Sequence, residues 1–127
     1  MKAGLEELQK AVQVDPNYAR AYFNMGRIFA RQGDLDKAVI NYKRALKLNP
    51  DEAEIHSGLA NVLAQQGKLE AATAHFQQAV NLKPDLADAH VRLARSLAAQ
   101  GKKHEAEKHY EEALRLMKSQ NQIRSSP

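Results

Sequence analysis

Apolar residues fall along this chain in short runs with helical spacing. Tyr22, Met25, Gly26 and Phe29 follow one another at three- and four-residue steps, which places them on one helix face. The run stops at Gly33, a residue that ends a helix cheaply by taking positive φ. A second run, Leu35, Ala38, Tyr42, Ala45, Leu46 and Leu48, stops before Pro50, which cannot continue a helix interior. Asp51 and Glu52 then sit near the start of the next run, where the positive end of the helix dipole favours acids.

The pair of runs repeats. Gly33, Gly67 and Gly101 are 34 residues apart, as are Pro16, Pro50 and Pro84. The same period links Ala38, Ala72 and Ala106, and again Ala45, Ala79 and Ala113. Self-similarity at such a period marks stacked supersecondary units. Alanine raises helix propensity anywhere in a helix, but propensity alone does not hold alanines in phase. Small residues at Gly26, Ala60 and Ala94 let neighbouring helix backbones approach closely. The rings of Tyr42, Phe76 and Tyr110 are then expected to fill the gaps between one helix pair and the next.

Three units are expected at 19–52, 53–86 and 87–118. Residues 1–17 read as the second helix of an incomplete leading unit, with Gly4, Leu8, Ala11 and Val12 in the register of Ala38, Tyr42, Ala45 and Leu46. That reading implies a piece of a longer array, with apolar surface open at one end or both. Residues 119–127 are polar and poor in core residues, and are expected to be a disordered tail.

The pattern resembles the tetratricopeptide repeat (TPR) family over nearly the whole chain. Tyr22, Met25, Gly26, Phe29, Ala38, Tyr42, Ala45 and Pro50 carry the resemblance in the first full unit. His56 and His90 depart from it, standing where Tyr22 does and where the family has a large aromatic; Lys118 replaces the proline seen at Pro50 and Pro84. The resemblance implies an all-α solenoid of about seven helices, wound as a right-handed superhelix whose inner side is lined by the first helix of each pair. It maps the groove onto Arg20, Phe23, Asn24, Arg27 and Arg31, then Glu54, Ser57, Asn61 and Gln65, then Asp88, Val91, Arg92 and Arg95.

That stripe holds five arginines against two acids, with Phe23 expected to be exposed among them. Asparagine bonds peptide amides and arginine grips carboxylates with two parallel hydrogen bonds. An extended, acidic peptide or protein segment is the expected ligand; the alternative is that these charges are only solvated. Two binding styles implied by the family fit poorly. The chaperone-tail clamp would need lysine or asparagine at Phe23, Arg27, Gly58 and Asp88, and only Arg92 agrees. The asparagine ladder of the protein O-glycosylating transferases would need asparagine at Asn24, Gly58 and Arg92, and only the first agrees, although His56 to Lys68 is similar to those enzymes' repeats.

Composition narrows the rest. The chain has no cysteine, which excludes disulfides, thiolate metal sites and a thiol nucleophile. No segment reads as a signal peptide or is apolar for long enough to cross a bilayer, so no membrane contact and a cytoplasmic location are expected. A net charge of +4 is mild. Lys43, Arg44 and Lys47 form a basic cluster, but acids are interleaved and no aromatic stacking platform accompanies it, which disfavours nucleic acid. His56 and His90 are expected to stack near each other as partly buried rings replacing an aromatic, since two histidines without a placed carboxylate make a poor zinc site. His75 is expected on the outer surface. No nucleophile elbow, phosphate-cradling loop or HExxH motif is present. A binding scaffold without cofactor, metal or catalytic residues is the leading expectation. The alternatives are homo-association through open repeat ends and an accessory segment of a larger enzyme such as a glycosyltransferase.

Overall fold

The computed structural model describes residues 2–125, with side chains described from 4 to 121. Seven helices follow one another without a strand among the described residues: α1 Lys2–Val14, α2 Ala19–Arg31, α3 Leu35–Leu48, α4 Ala53–Gln65, α5 Leu69–Leu82, α6 Ala87–Ala99 and α7 Lys103–Ser125. The pairs α2–α3, α4–α5 and α6–α7 begin where the three expected units begin, and α1 packs on α2 as the helix before them. Each pair packs on the next through α3 on α4 and α5 on α6, and the first helices α2 and α4 also touch.

The turn inside each pair has one cause. Gly33, Gly67 and Gly101 take φ of 80°, 80° and 82°, the left-handed region that L side chains avoid. The bend lets Asp34 N–H reach the Phe29 carbonyl at 2.9 Å and Gly33 N–H reach that of Ala30 at 3.1 Å. Lys68 and Gly67, and Lys102 and Gly101, repeat the two bonds on Leu63 and Ala64 and on Leu97 and Ala98. Carbonyls left over at the end of a first helix are thus satisfied by the start of the loop to the second.

Between pairs, the in-phase small residues and rings form the core. Ala38, Ala45, Ala72, Ala79, Ala60 and Ala94 are fully buried, as are Leu59 and Leu93. Burying one leucine contributes about 1.5–3 kcal/mol. Tyr42 and Phe76 are 3% and 2% exposed, filling the gaps as expected. Tyr110 in the same register is 38% exposed, and Leu114 is 56% exposed, because no further first helix covers them among the described residues.

Several expectations are corrected. α7 runs through Ser125 instead of giving way to a disordered tail at 119; with Lys118 where the earlier units have proline, nothing breaks it. Residues 126 and 127 lie outside the described residues. Phe23 is not exposed: it is 2% accessible and packs against Tyr42 with ring centroids 5.8 Å apart. His56 and His90 do not stack on each other. Each meets a histidine on the second helix of its own pair, His75 and His109, so His75 is half-buried and not an outer-surface residue. No helix among the described residues is long and apolar enough to cross a membrane.

Candidate binding groove

The stripe expected on the first helices is divided between two joined depressions and a third. Arg27 and Arg31 of α2 line one of about 380 Å³ together with Ala30, Tyr42, Gly58, Asn61, Val62 and Gln65. The next, about 360 Å³, is lined by Asn61, Ala64, Gln65, Leu69, Phe76, Arg92, Arg95 and Ser96. Asn61 and Gln65 belong to both, so they form the saddle of a continuous groove across α2, α4 and α6. Glu54, Ser57 and Asp88 line a separate depression of about 270 Å³ with Lys83 and Leu86. Arg20, Phe23, Asn24 and Val91 line none of these three.

Spacing explains the groove's shape. Residues 27 and 31, 61 and 65, and 92 and 95 lie three or four apart on their helices, and so project from one face. Gly58 lacks the side chain that would close the floor: a Cβ there would come 3.0 Å from Tyr42 Cζ. Its lining mixes the rings of Tyr42 and Phe76 and the aliphatic Val62 and Leu69 with the polar side chains.

The five arginines are not equivalent. Arg20 pairs with Glu54 at 3.1 Å, with both side chains half-exposed, so the pair is worth about 0–1 kcal/mol. Arg92 donates from Nε to Asp88 and from a terminal nitrogen to Asn61 Oδ1, both at 2.8 Å. Asn61 thereby has its carbonyl occupied and its NH2 left to meet an incoming acceptor. Arg27, Arg31 and Arg95 have no carboxylate within ion-pair distance among the described residues. The guanidiniums of Arg20 and Arg27 lie 4.9 and 5.7 Å from the centre of the Phe23 ring. Such cation–π contacts fix a long side chain over a rigid support. Burial raises the Tyr42 phenol above its ordinary pKa, opposed by the charges of Arg27 and Arg31.

Several wall and floor residues escape a reading by groove positions alone. Phe76 and Tyr42 come from second helices and reach the groove only because small residues opposite admit their rings. Ser96 is 5% exposed and meets Thr73 Oγ1 at 2.6 Å, and Thr73 donates to Gln100 at 2.7 Å. This partly buried polar chain braces α5 against the end of α6 beside the second depression. Outside the groove, burial first, then His56, then Lys43 push the pKa of His75 below the ordinary histidine value. Burial first, then His90, lower that of His109, with Glu105 and Glu112 opposing.

Comparison with known proteins accords with this architecture. A family model described as "TPR repeat" matches residues 3–33 and 26–67. One described as "Tetratricopeptide repeat" matches residues 51–119. A solved structure described as "Crystal structure of MamA" is 24% identical and superposes with a TM-score of 0.88 over 93% of this chain and 69% of its own. Another, "Crystal structure of MamA protein", is 23% identical with a TM-score of 0.85, over 97% of this chain and 67% of its own. "MamA AMB-1 P212121" is 23% identical with a TM-score of 0.82, over 94% and 70%. Identities this low establish a common fold and nothing finer. No curated protein sequence matches the chain.

Proposed function

The chain belongs to the tetratricopeptide repeat family, and from that premise we propose that it is a protein-interaction scaffold whose α2–α4–α6 groove binds an extended acidic segment of a partner. The observation that carries this reading is the set of three arginines without acidic partners, Arg27, Arg31 and Arg95, arranged on either side of the Asn61–Gln65 saddle. A guanidinium offers a carboxylate a planar fork of donors. The free NH2 of Asn61 suits a backbone carbonyl of an extended chain. Apolar rings on the floor exclude water beneath those contacts, which strengthens each of them.

An affinity pull-down comparing wild type with R27E/R31E/R95E tests the proposal. Groove ligands are lost by the reversal while helix content, read by circular dichroism, stays unchanged. Recovery of the same partners by the folded variant contradicts the groove assignment.

A second reading rests on a different observation. Tyr110, Leu114 and Met117 present an apolar face on α7 whose counterparts Tyr42 and Phe76 are buried by the following pair. Homo-association through that face predicts a sedimentation coefficient that rises with concentration and falls back in Y110E/L114E. A module that only binds peptides stays monomeric across the same range.

A further inference from the structure

The histidines that stand in the register of Tyr22 in the second and third repeats carry the same two contacts. Nε2 of His56 lies 2.8 Å from the Pro50 carbonyl oxygen, and its Nδ1 lies 3.1 Å from Nδ1 of His75. One period on, Nε2 of His90 lies 2.9 Å from the Pro84 carbonyl oxygen, and its Nδ1 lies 3.0 Å from Nδ1 of His109. A carbonyl only accepts, so Nε2 of His56 and of His90 carries the proton, and the Nδ1 lone pair faces the partner ring. In both pairs the ring centroids are 5.3 Å apart, with the planes 28° and 27° from parallel. That separation exceeds the nitrogen–nitrogen distance by about one ring width. The two Nδ1 atoms therefore meet head-on between the ring centres, and the faces do not overlap.

Giving the second N–H to a backbone carbonyl is the device by which proteins orient an imidazole lone pair toward a metal. Among the described residues, no group of three or more histidine, aspartate or glutamate side chains is placed to hold a metal ion. That excludes the four-ligand surroundings of structural zinc. Two imidazole nitrogens facing each other suit a different ion: a monovalent one satisfied by two ligands in line, with copper among the metals that imidazole suits.

We propose that His56 with His75, and His90 with His109, form two equivalent two-coordinate sites for a soft monovalent cation of the Cu(I) or Ag(I) class, which takes the place of the proton held between the facing Nδ1 atoms. No redox step is involved. The ion enters already monovalent, and the proton on Nδ1 of His75 or His109 transfers through solvent to Nε2 of the same ring, leaving both rings neutral. Metal–imidazole bonds of about 2 Å set the nitrogens of an in-line site about 4 Å apart. The rings must part by about 1 Å, and His75 and His109, half-buried on α5 and α7, are less enclosed than His56 and His90.

The two sites differ in their electrostatic surroundings. Lys43 acts on His75, whereas Glu105 and Glu112 act on His109. In the 34-residue register, Gln77 replaces Lys43 at the second site, and Ala71 and Gln78 replace the two glutamates at the first. Arg115 pairs with Glu112, so Glu105 supplies the attraction at the second site, while Lys43 repels a cation at the first; the His90–His109 site binds more tightly.

Titration of the full chain with Ag(I) in chloride-free buffer, read by native mass spectrometry and calorimetry, tests this. Wild type takes up two more ions than H75Q/H109Q, which supplies the background from groups such as the exposed Met117 thioether. H75Q loses the weaker ion and H109Q the tighter one, while H104Q, at an exposed histidine outside both pairs, keeps both. In the wild-type protein the ¹⁵N signals of all four Nδ1 atoms shift on Ag(I) addition. Equal uptake by wild type and H75Q/H109Q, or unmoved Nδ1 signals, overturns the proposal and leaves the pairs as proton-sharing hydrogen bonds.

Discussion

The ring of Tyr42 occupies the space that a side chain on Gly26 would need: a Cβ there would stand 2.7 Å from Tyr42 Cδ1. A Cβ on Gly58 would stand 3.0 Å from Cζ of the same ring. One tyrosine of α3 is thus set between the backbones of α2 and α4, and it couples two successive repeats.

G26A is therefore expected to destabilise the fold although alanine is the better helix former by about 1 kcal/mol. Overpacking a filled core costs about 1–3 kcal/mol, and a buried aromatic ring gives way less readily than a flexible chain end. Thermal unfolding followed by circular dichroism should show a lower Tm than wild type; an unchanged or higher Tm contradicts the packing described.

Position in the array should grade the cost of losing a ring. Y42A removes a ring buried between two repeats, for which the loss is about 3–5 kcal/mol. Y110A removes its counterpart on α7, which is 38% exposed, and should cost much less. Denaturant midpoints of the two variants measure the difference, and equal midpoints would argue against the shared core.

Alkali provides an independent probe of the same ring. Burial raises the Tyr42 pKa in the folded protein. Its neutral form is the one the fold favours, so its contribution is fully present below the unfolded value of 10.0 and is lost as pH rises from there through the folded value. Spectrophotometric titration should show the Tyr42 phenol ionising above the ordinary tyrosine value of 10.0 and together with loss of helix. Y42F should remove that late step. A phenol at position 42 that ionises at the ordinary value of 10.0, without loss of helix, contradicts its burial.

Phe23 offers a contrast between stability and binding. Its ring is buried against Tyr42 and supports the guanidiniums of Arg20 and Arg27. F23A should lose about 3–5 kcal/mol of stability, as read by chemical denaturation. A variant that keeps wild-type stability would restore the reading of Phe23 as a surface contact.

The repeat phase in the sequence carried most of the architecture. The starts of α2, α4 and α6 and the three turn glycines follow from punctuation that recurs every 34 residues. What stayed hidden depends on contacts between the two helices of one pair. His56 meets His75 and His90 meets His109 across 19 residues, a spacing that the 34-residue comparison does not reveal. The corresponding first-repeat residues, Tyr22 and Asn41, cannot make that pair, and Asn41 bonds the Lys37 carbonyl instead. Phe23 lies beside the groove stripe along α2, and only the position of Tyr42 decides that its ring turns inward. The groove's charge was legible residue by residue, as was the four-residue spacing of Asp88 and Arg92; that Glu54 neutralises Arg20 from the neighbouring helix was not.

The proposed role of those free arginines is tested most directly by fluorescence anisotropy with a labelled glutamate-rich peptide and its glutamine counterpart. Wild type should bind the acidic peptide, more weakly as salt is raised, and should bind the glutamine peptide poorly; R27E/R31E/R95E should bind neither. If the reversed variant binds the acidic peptide as tightly as wild type does, the groove is not where this protein takes hold of its partner.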